Sequence, residues 1–496
     1  MIDAIKKVVI VGGGTAGWIS AALLKKMLGG IVDIELIESE EIGRIGVGEA
    51  TIPPIRYLND VLGISEVDFF RATKATVKLG IRFDGWRIKE ESYFHTFGVP
   101  GKHLAFCPFH HFWLRAKLMG HSSSLWDYDL NYLCAINNKF SPVTVRDAIP
   151  EMLYAYHFDA SLYAGFLRRI SEQLGVNRTE GLIENVVLDT DSGYVNQLVL
   201  KGGRSIQGDL FIDCSGLAAL LIQKKLGTGF EDWSHWLPCD RAIAVPSERF
   251  SETLPYTRAI AHEFGWQWRI PLQHRNGNGI VYSSDYCSDE QALDVLMKNL
   301  DSVALGEPNL IKFKTGRRLK QWNRNVIAVG LSSGFLEPLE STSIHLIQSA
   351  IVRLIRLFPH DGISPANRDE YNRQSKLEFE QIRDFIIFHY FANARNDSRF
   401  WIDRRRMDVP DALKRKIALF KETGKIFREQ DDLFHDASWL QVMLGQGIMP
   451  DDYHPIANSI SDSQLQEMLV NMKKIKENLS ATMPSHDQFI ENLCKV

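Results

Sequence analysis

Short apolar runs that end in glycine organise the first two thirds of the chain. Val8, Val9, Ile10 and Val11 are apolar at every position, without alternation, the pattern of a strand buried on both faces. The run passes into the glycine-rich turn 12–17. Residues 18–28 then predict a helix closed by Gly29 and Gly30, and residues 34–37 a second strand. Much later, residues 210–213 and 326–330 repeat the same form, a buried strand running into a small-residue turn. Recurrence over so long a stretch predicts an α/β fold: one parallel, Rossmann-like sheet assembled from distant segments, with insertions between them. After about residue 345 glycine becomes scarce, charge becomes frequent, and residues 411–422 and 462–478 carry helical periodicity. The expected division is therefore a sheet module with inserted segments over 1–360 and a mostly helical covering portion over 361–496.

Composition narrows the classes without choosing one. The 496 residues are 45% hydrophobic and 24% charged, as in an ordinary globular protein and unlike a disordered one. Lys and Arg number 57 against 61 Asp and Glu, a net charge of −4, so no basic footprint marks a nucleic acid or anionic membrane as partner. No apolar run approaches the roughly 18 residues of a membrane span. The start of the chain runs straight into glycine without a small-residue cleavage site, so no signal peptide is expected. The six cysteines are scattered and include no Cys-x-x-Cys pair, which argues against a zinc site or a disulfide framework and fits a cytoplasmic setting.

The first chemistry lies in Gly12, Gly14 and Gly17. They form Gly-x-Gly-x-x-Gly directly after a strand and at the start of a helix. The first glycine permits the turn, the second admits a pyrophosphate against backbone, and the third lets helix and strand approach. The helix N-terminus, with Thr15 and Ala16, offers unpaired N–H groups to an anion. Glu38 follows at the end of the second strand, where a carboxylate can accept from a ribose hydroxyl. The motif alone does not separate FAD from NAD; its N-terminal position and the long insertions favour FAD. A second glycine-rich loop, 43–51, with Gly48, Glu49 and Ala50, is suited to backbone contact with a flat ring or a phosphate. The segment Phe211-Ile212-Asp213-Cys214-Ser215-Gly216 resembles the strand and turn that flank the cofactor in flavin monooxygenases.

Residues 265–271 read Gly-Trp-Gln-Trp-Arg-Ile-Pro, which on a strand places Trp266, Trp268 and Ile270 on one face. An aromatic core stripe has the same spacing. The Trp-x-Trp-x-Ile-Pro pattern nevertheless resembles the signature of the flavin-dependent halogenases, the family of the tryptophan halogenases. The block from Gly330 to Thr342 is similar to theirs, and so are residues 76–83, the 46–51 loop, Ser438-Trp439 and residues 445–450, all in collinear order.

That resemblance implies a division of labour. Reduced FAD and O₂ oxidise a bound halide, chloride or bromide, to hypohalous acid, which travels through a tunnel to an aromatic substrate held away from the flavin. Lys78 would hold the oxidant, with Lys74 as its decoy. Glu340 would stabilise positive charge on the attacked ring, with Glu337 as decoy. An acid after Pro338 also suits a helix start marked by Ser341 and Thr342, and the two roles can hold together. The halide would sit on the amides of Thr342 and Ser343. The family has glycine at the second of these positions, and the loss of its φ > 0 freedom is expected to loosen the halide site towards bromide. Trp266, Trp268, Pro271 and Ser341 would line the tunnel and shield the flavin, and Gly330 and Phe335 would contact it.

On the substrate side the candidates are Phe106, His110 and Trp439. Tryptophan-specific members carry a Tyr pair and a Glu before the last of these to hold the amino and carboxylate groups. Here residues 427–439 contain no Tyr, Phe434 stands in place of the acid, and Ser438 replaces Phe. Indole or a simple indole is therefore expected over free tryptophan. With no second Gly-x-Gly-x-x-Gly for NAD(P)H, a separate flavin reductase is expected to supply FADH₂. A flavin hydroxylase, or a non-catalytic escort protein of the same architecture, are the rival readings.

Overall fold

The computed structural model describes residues 4–42, 48–104, 106–143 and 151–495. Residues 43–47 of the second glycine-rich loop lie outside them. Contacts divide the chain into two units, each built from three segments. The first comprises Met1–Ala75, Phe158–Arg241 and Ile311–Glu380; the second comprises Thr76–His157, Ala242–Leu310 and Gln381–Val496.

The first unit holds the expected parallel sheet. Lys7–Val11 pairs in parallel with Leu210–Asp213 on one side and Asp33–Glu38 on the other. Val326–Ala328 joins beyond Leu210–Asp213, and Asn177–Glu180 beyond Asp33–Glu38. Only the outermost strand, Trp322–Asn323, is antiparallel. Val8, Val9 and Ile10 have no exposed surface, which is why their sequence shows no alternation. The helix Thr15–Leu28 begins three residues before the apolar pattern does, because its first turn is made of the small residues Thr15, Ala16 and Gly17. It packs against the helices Ala160–Gln173 and Ser343–Arg356.

The second unit contains a sheet in which Thr257–His262 pairs in parallel with Gly80–Asp84 and antiparallel with Gly265–Pro271. Asn276–Tyr282 and Ser92–Thr96 extend it on the two sides. The helices Asp411–Thr423, Asp436–Gly445 and Asp462–Thr482 belong to the same unit.

This division differs from a boundary at 360/361. The late helical segments share their core with strands from the middle of the chain: the Trp86 ring centroid lies 6.3 Å from Trp266, 5.3 Å from Tyr390 and 5.3 Å from Trp401. Composition changes at residue 345, but burial joins what composition separates.

Candidate active site

In the first unit, the turn after Lys7–Val11 is shaped by what a side chain would strike. Gly12 has φ 111°, and a Cβ there would lie 2.3 Å from the Cys214 carbonyl oxygen. A Cβ on Gly17 would lie 1.8 Å from the Gly12 carbonyl, so helix and strand meet at backbone distance. Gly14 is exposed, with nothing within 4 Å of where a side chain would begin. It caps the helix without a side-chain hydrogen bond, which leaves the first-turn amides to an incoming anion. These features fit a dinucleotide. The middle Gly13 is confined as well, its Cβ position lying 1.6 Å from Glu38 Oε2; the sequence reading had no role for it.

Glu38 is buried, and its Oε1 accepts from Arg178 Nε at 2.6 Å. This ion pair, with Arg168 Nη1 at 3.5 Å from the same oxygen, fixes the carboxylate beside the turn. Asp213 serves the fold: its Oδ1 accepts from the Ser215 amide at 3.0 Å, and its Oδ2 from the Leu221 and Ile222 amides at 2.8 Å each. Gly330, at φ 70°, brings its loop onto the first helical turn, where a Cβ would lie 2.9 Å from Ala16 Cβ. Phe335 stands on the short strand Gly334–Phe335, its ring 4.4 Å from Phe313. Gly48–Ala50 forms a strand in which burial pushes the Glu49 carboxyl up to about 7.

Glu340 closes the 3₁₀ turn Pro338–Glu340 and is 1% exposed, as is Thr342. Ser341 follows at φ 59°, and the helix Ser343–Arg356 starts with Thr342 as its cap, again without a side-chain hydrogen bond. Glu340 is therefore not the cap of this helix. The left-handed residue is Ser341, while Ser343 lies in the right-handed helix. Glycine's φ > 0 freedom is not used at 343, so the argument for a loosened halide site fails: serine keeps the same backbone and the same amide.

In the second unit Lys78 has no exposed surface. Residues 76–83 form two strands and not one. Thr76–Lys78 pairs antiparallel with Ala155–Asp159, and Gly80–Asp84 enters the larger sheet, the chain turning at Leu79, whose amide donates to the Pro255 carbonyl at 2.8 Å. Lys78 Nζ stands 5.4 Å from the Phe97 ring centroid. Thr76 Oγ1 donates to the Pro271 carbonyl at 2.7 Å and lies 3.0 Å from His157 Nδ1.

Trp266 and Trp268 share a strand face as predicted, with ring centroids 6.3 Å apart. Trp266 joins the aromatic core around Trp86. Trp268 lies over Gly279, where a Cβ would fall 2.0 Å from its ring. Trp439, on the helix Asp436–Gly445, is buried edge-on to Phe385 at 4.7 Å, with Lys416 Nζ 4.4 Å from its ring centroid. Phe434 stacks on Phe385 at 3.8 Å. His110 is also buried. Its Nε2–H donates to the Gly424 carbonyl at 2.7 Å, and burial draws its pKa down to about 4, which makes it a neutral packing group. Phe106 departs from expectation. It is 98% exposed, whereas Cys107 beside it and Phe109, Phe112 and Trp113 of the helix Phe109–Leu118 are buried.

No helix among the described residues is long and apolar enough to cross a membrane, and no cluster of His, Cys, Asp or Glu there could hold a metal.

Residues 7–462 match the tryptophan halogenase family. A tryptophan 6-halogenase of Streptomyces toxytricini is 36% identical over 89% of each chain. Among solved structures, a flavin-dependent halogenase from Xanthomonas campestris superposes with a TM-score of 0.96 at 47% identity, and one from Brevundimonas sp. BAL3 with 0.95 at 44%, each over 99% of both chains. A Rossmann-type turn, a buried lysine strand, a double-tryptophan strand and an uncapped helix after Glu340 therefore occur here in a chain that belongs to the tryptophan halogenase family and is an enzyme of the flavin-dependent halogenase class.

Proposed function

We propose that the enzyme halogenates indole or a simply substituted indole in preference to free tryptophan. FADH₂ from a separate NAD(P)H-dependent flavin reductase, O₂, and chloride or bromide are its co-substrates. When bound, reduced flavin with O₂ supplies the oxidising equivalents that turn halide into hypohalous acid.

Gly12, Gly14, Thr15, Ala16 and Gly17 receive the pyrophosphate on backbone amides, and Glu38 holds a ribose. Gly48, Glu49, Ala50, Gly330 and Phe335 contact the rest of the cofactor. The amides of Thr342 and Ser343 hold the halide at the positive end of a helix. Lys78 donates a hydrogen bond to the oxidant, and Glu340 stabilises the positive charge that builds on the ring as halogen adds. Trp266, Trp268, Pro271 and Ser341 keep the aromatic substrate from the flavin.

The observation that carries the reading is the zero exposure of Lys78. A lysine is almost never fully buried unless its ammonium is paired or hydrogen-bonded, since desolvating that charge is costly, so the amine is held at a fixed place in a dry setting. Substrate preference rests on the Phe434–Phe385 stack beside Trp439: where tryptophan-specific members carry an acid, an apolar ring stands here. Phe106 and His110 take no part in the proposed substrate wall.

Mass spectrometry of indole, tryptophan, phenol and pyrrole, each incubated with regenerated FADH₂, O₂ and mixed chloride and bromide, tests the proposal. Halogenated indole in excess over halogenated tryptophan is expected. Tryptophan as the better substrate overturns the preference, and oxygenated products without halogen overturn the reaction.

A further inference from the structure

The strand that carries Lys78 is held by two histidines the reaction does not require. Thr76–Lys78 pairs on one side, with Ala155–Asp159. The Val77 amide donates to His486 Nε2 at 3.0 Å, across 409 residues of chain. The other ring nitrogen, Nδ1, donates to the Thr253 carbonyl at 2.7 Å. An imidazole that accepts through Nε2 and donates through Nδ1 is neutral, and its tautomer is fixed.

One residue earlier the same logic holds. The single proton of Thr76 Oγ1 goes to the Pro271 carbonyl, so His157 Nδ1 must donate to that oxygen. His157 Nε2 is left to accept from Thr257 Oγ1 at 2.9 Å. The C-terminal element that delivers His486 is anchored in turn. Asp487 accepts from Arg249 Nη2 at 2.7 Å and from the Thr253 amide at 3.1 Å, and the His486 amide donates to the Asn138 carbonyl at 2.9 Å.

We propose that His486 is a positioning residue for Lys78: its neutral Nε2 takes the free-edge amide of Val77 and, with the Pro271–Thr76–His157–Thr257 chain, fixes the backbone from which the amine reaches the oxidant. The proposal rests on the role assigned to Lys78 above. A strand edge left without an acceptor would slide or twist, and a displacement of about 1 Å at a reacting group costs up to a hundredfold.

The test compares His486→Leu with His486→Gln in the full chain with FAD and reductase, Gln keeping an acceptor near the Nε2 position. Two quantities are read: halogenated product per FADH₂ consumed, and amide hydrogen exchange over residues 76–79. In His486→Leu the Val77 amide should exchange about tenfold faster or more, and product per FADH₂ should fall about tenfold, with FADH₂ consumption and the aromatic KM unchanged. His486→Gln should restore both. Equal losses in Leu and Gln variants, or a folded Leu variant with full product yield, overturn the proposal. If His486→Leu does not fold, Thr76→Val decides on the same readouts, and full yield there overturns it. Failure of the underlying reading shows differently: Lys78→Ala would keep full yield, leaving His486 nothing to position.

Discussion

At the scale of single residues, the burial of Lys78 and Glu340 sets what their loss should do. Lys78→Met keeps an unbranched stem of similar length and removes the ammonium, so the site stays filled while the cation's contact with the Phe97 ring and the hydrogen bond to the oxidant are lost. Halogenation should fall about a thousandfold with FADH₂ oxidation unchanged, because a preorganised donor in a dry site contributes about 3 to 4 kcal/mol. The product should be replaced by freely diffusing oxidant that a thiol scavenger traps. Retained coupling would assign the lysine to structure. Glu340→Gln is a gentler change in shape and removes the charge. With the carboxylate 1% exposed, the loss should be felt in kcat, by about a hundredfold, and little in the KM for the aromatic. Equal losses in kcat and in FAD affinity would instead make Glu340 a support of the turn that leads into the helix Ser343–Arg356.

At the scale of elements, the double-tryptophan strand depends on its neighbour. Trp268 faces Gly279 in register across Gly265–Pro271 and Asn276–Tyr282. Gly279→Val places carbon where the indole lies and should cost about 1 to 3 kcal/mol in unfolding free energy. It should also displace Trp268 and raise the share of FADH₂ spent without product, with Trp fluorescence reporting the move. An unchanged spectrum with unchanged coupling would leave Trp268 a core residue only. How much of these elements the sequence displays follows from their physics. Strands buried on both faces announce themselves, as Val8 to Val11 do, and so does a one-faced pair such as Trp266 and Trp268. The break at Leu79 is hidden, because Val77, Leu79, Ile81 and Phe83 are apolar on either side of it while the chain changes sheets. The left-handed Ser341 is hidden too, since nothing in a Glu-Ser-Thr-Ser run shows which residue takes the strain. The His486 bond to Val77 is least visible of all, for it joins residues with no pattern between them. A rule that a buried strand edge needs an acceptor would have prompted the search without supplying the partner.

At the scale of the whole molecule, the two units should respond to acid in opposite senses. The second unit buries neutral histidines: burial holds His110 and His486 down to about 4, and drives His157 well below its ordinary value with the Lys78 charge adding to the effect. Each titrates near 6.5 when unfolded, so below that pH the unfolded chain binds more protons than the folded one. The stability these groups contribute is complete above about pH 6.5 and is lost as pH falls towards 4. For His110 and His486 together the loss is about 2 kcal/mol between pH 6.5 and 5.5, a large share of a typical folding free energy. Glu49, in the first unit, runs the other way. Its carboxyl is raised to about 7 from an ordinary 4.5, so the folded form holds its proton more tightly, and its contribution grows as pH falls through the same window. Several depressed histidines in the second unit, against the one raised carboxyl of Glu49 in the first, leave the second unit the acid-labile one. Amide exchange at pH 7.5 and 5.5 should therefore show Gly265–Pro271 losing protection on acidification while Lys7–Val11 keeps it. Replacing both His110 and His486 by Gln should make that pH dependence shallower, with His157 and His111 carrying what remains, and the same slope in the double variant would place the acid sensitivity elsewhere. Because Lys78 and its strand lie in the acid-labile unit, halogenation should fail on acidification before FAD binding does, and a binding isotherm beside a product assay at each pH separates the two losses.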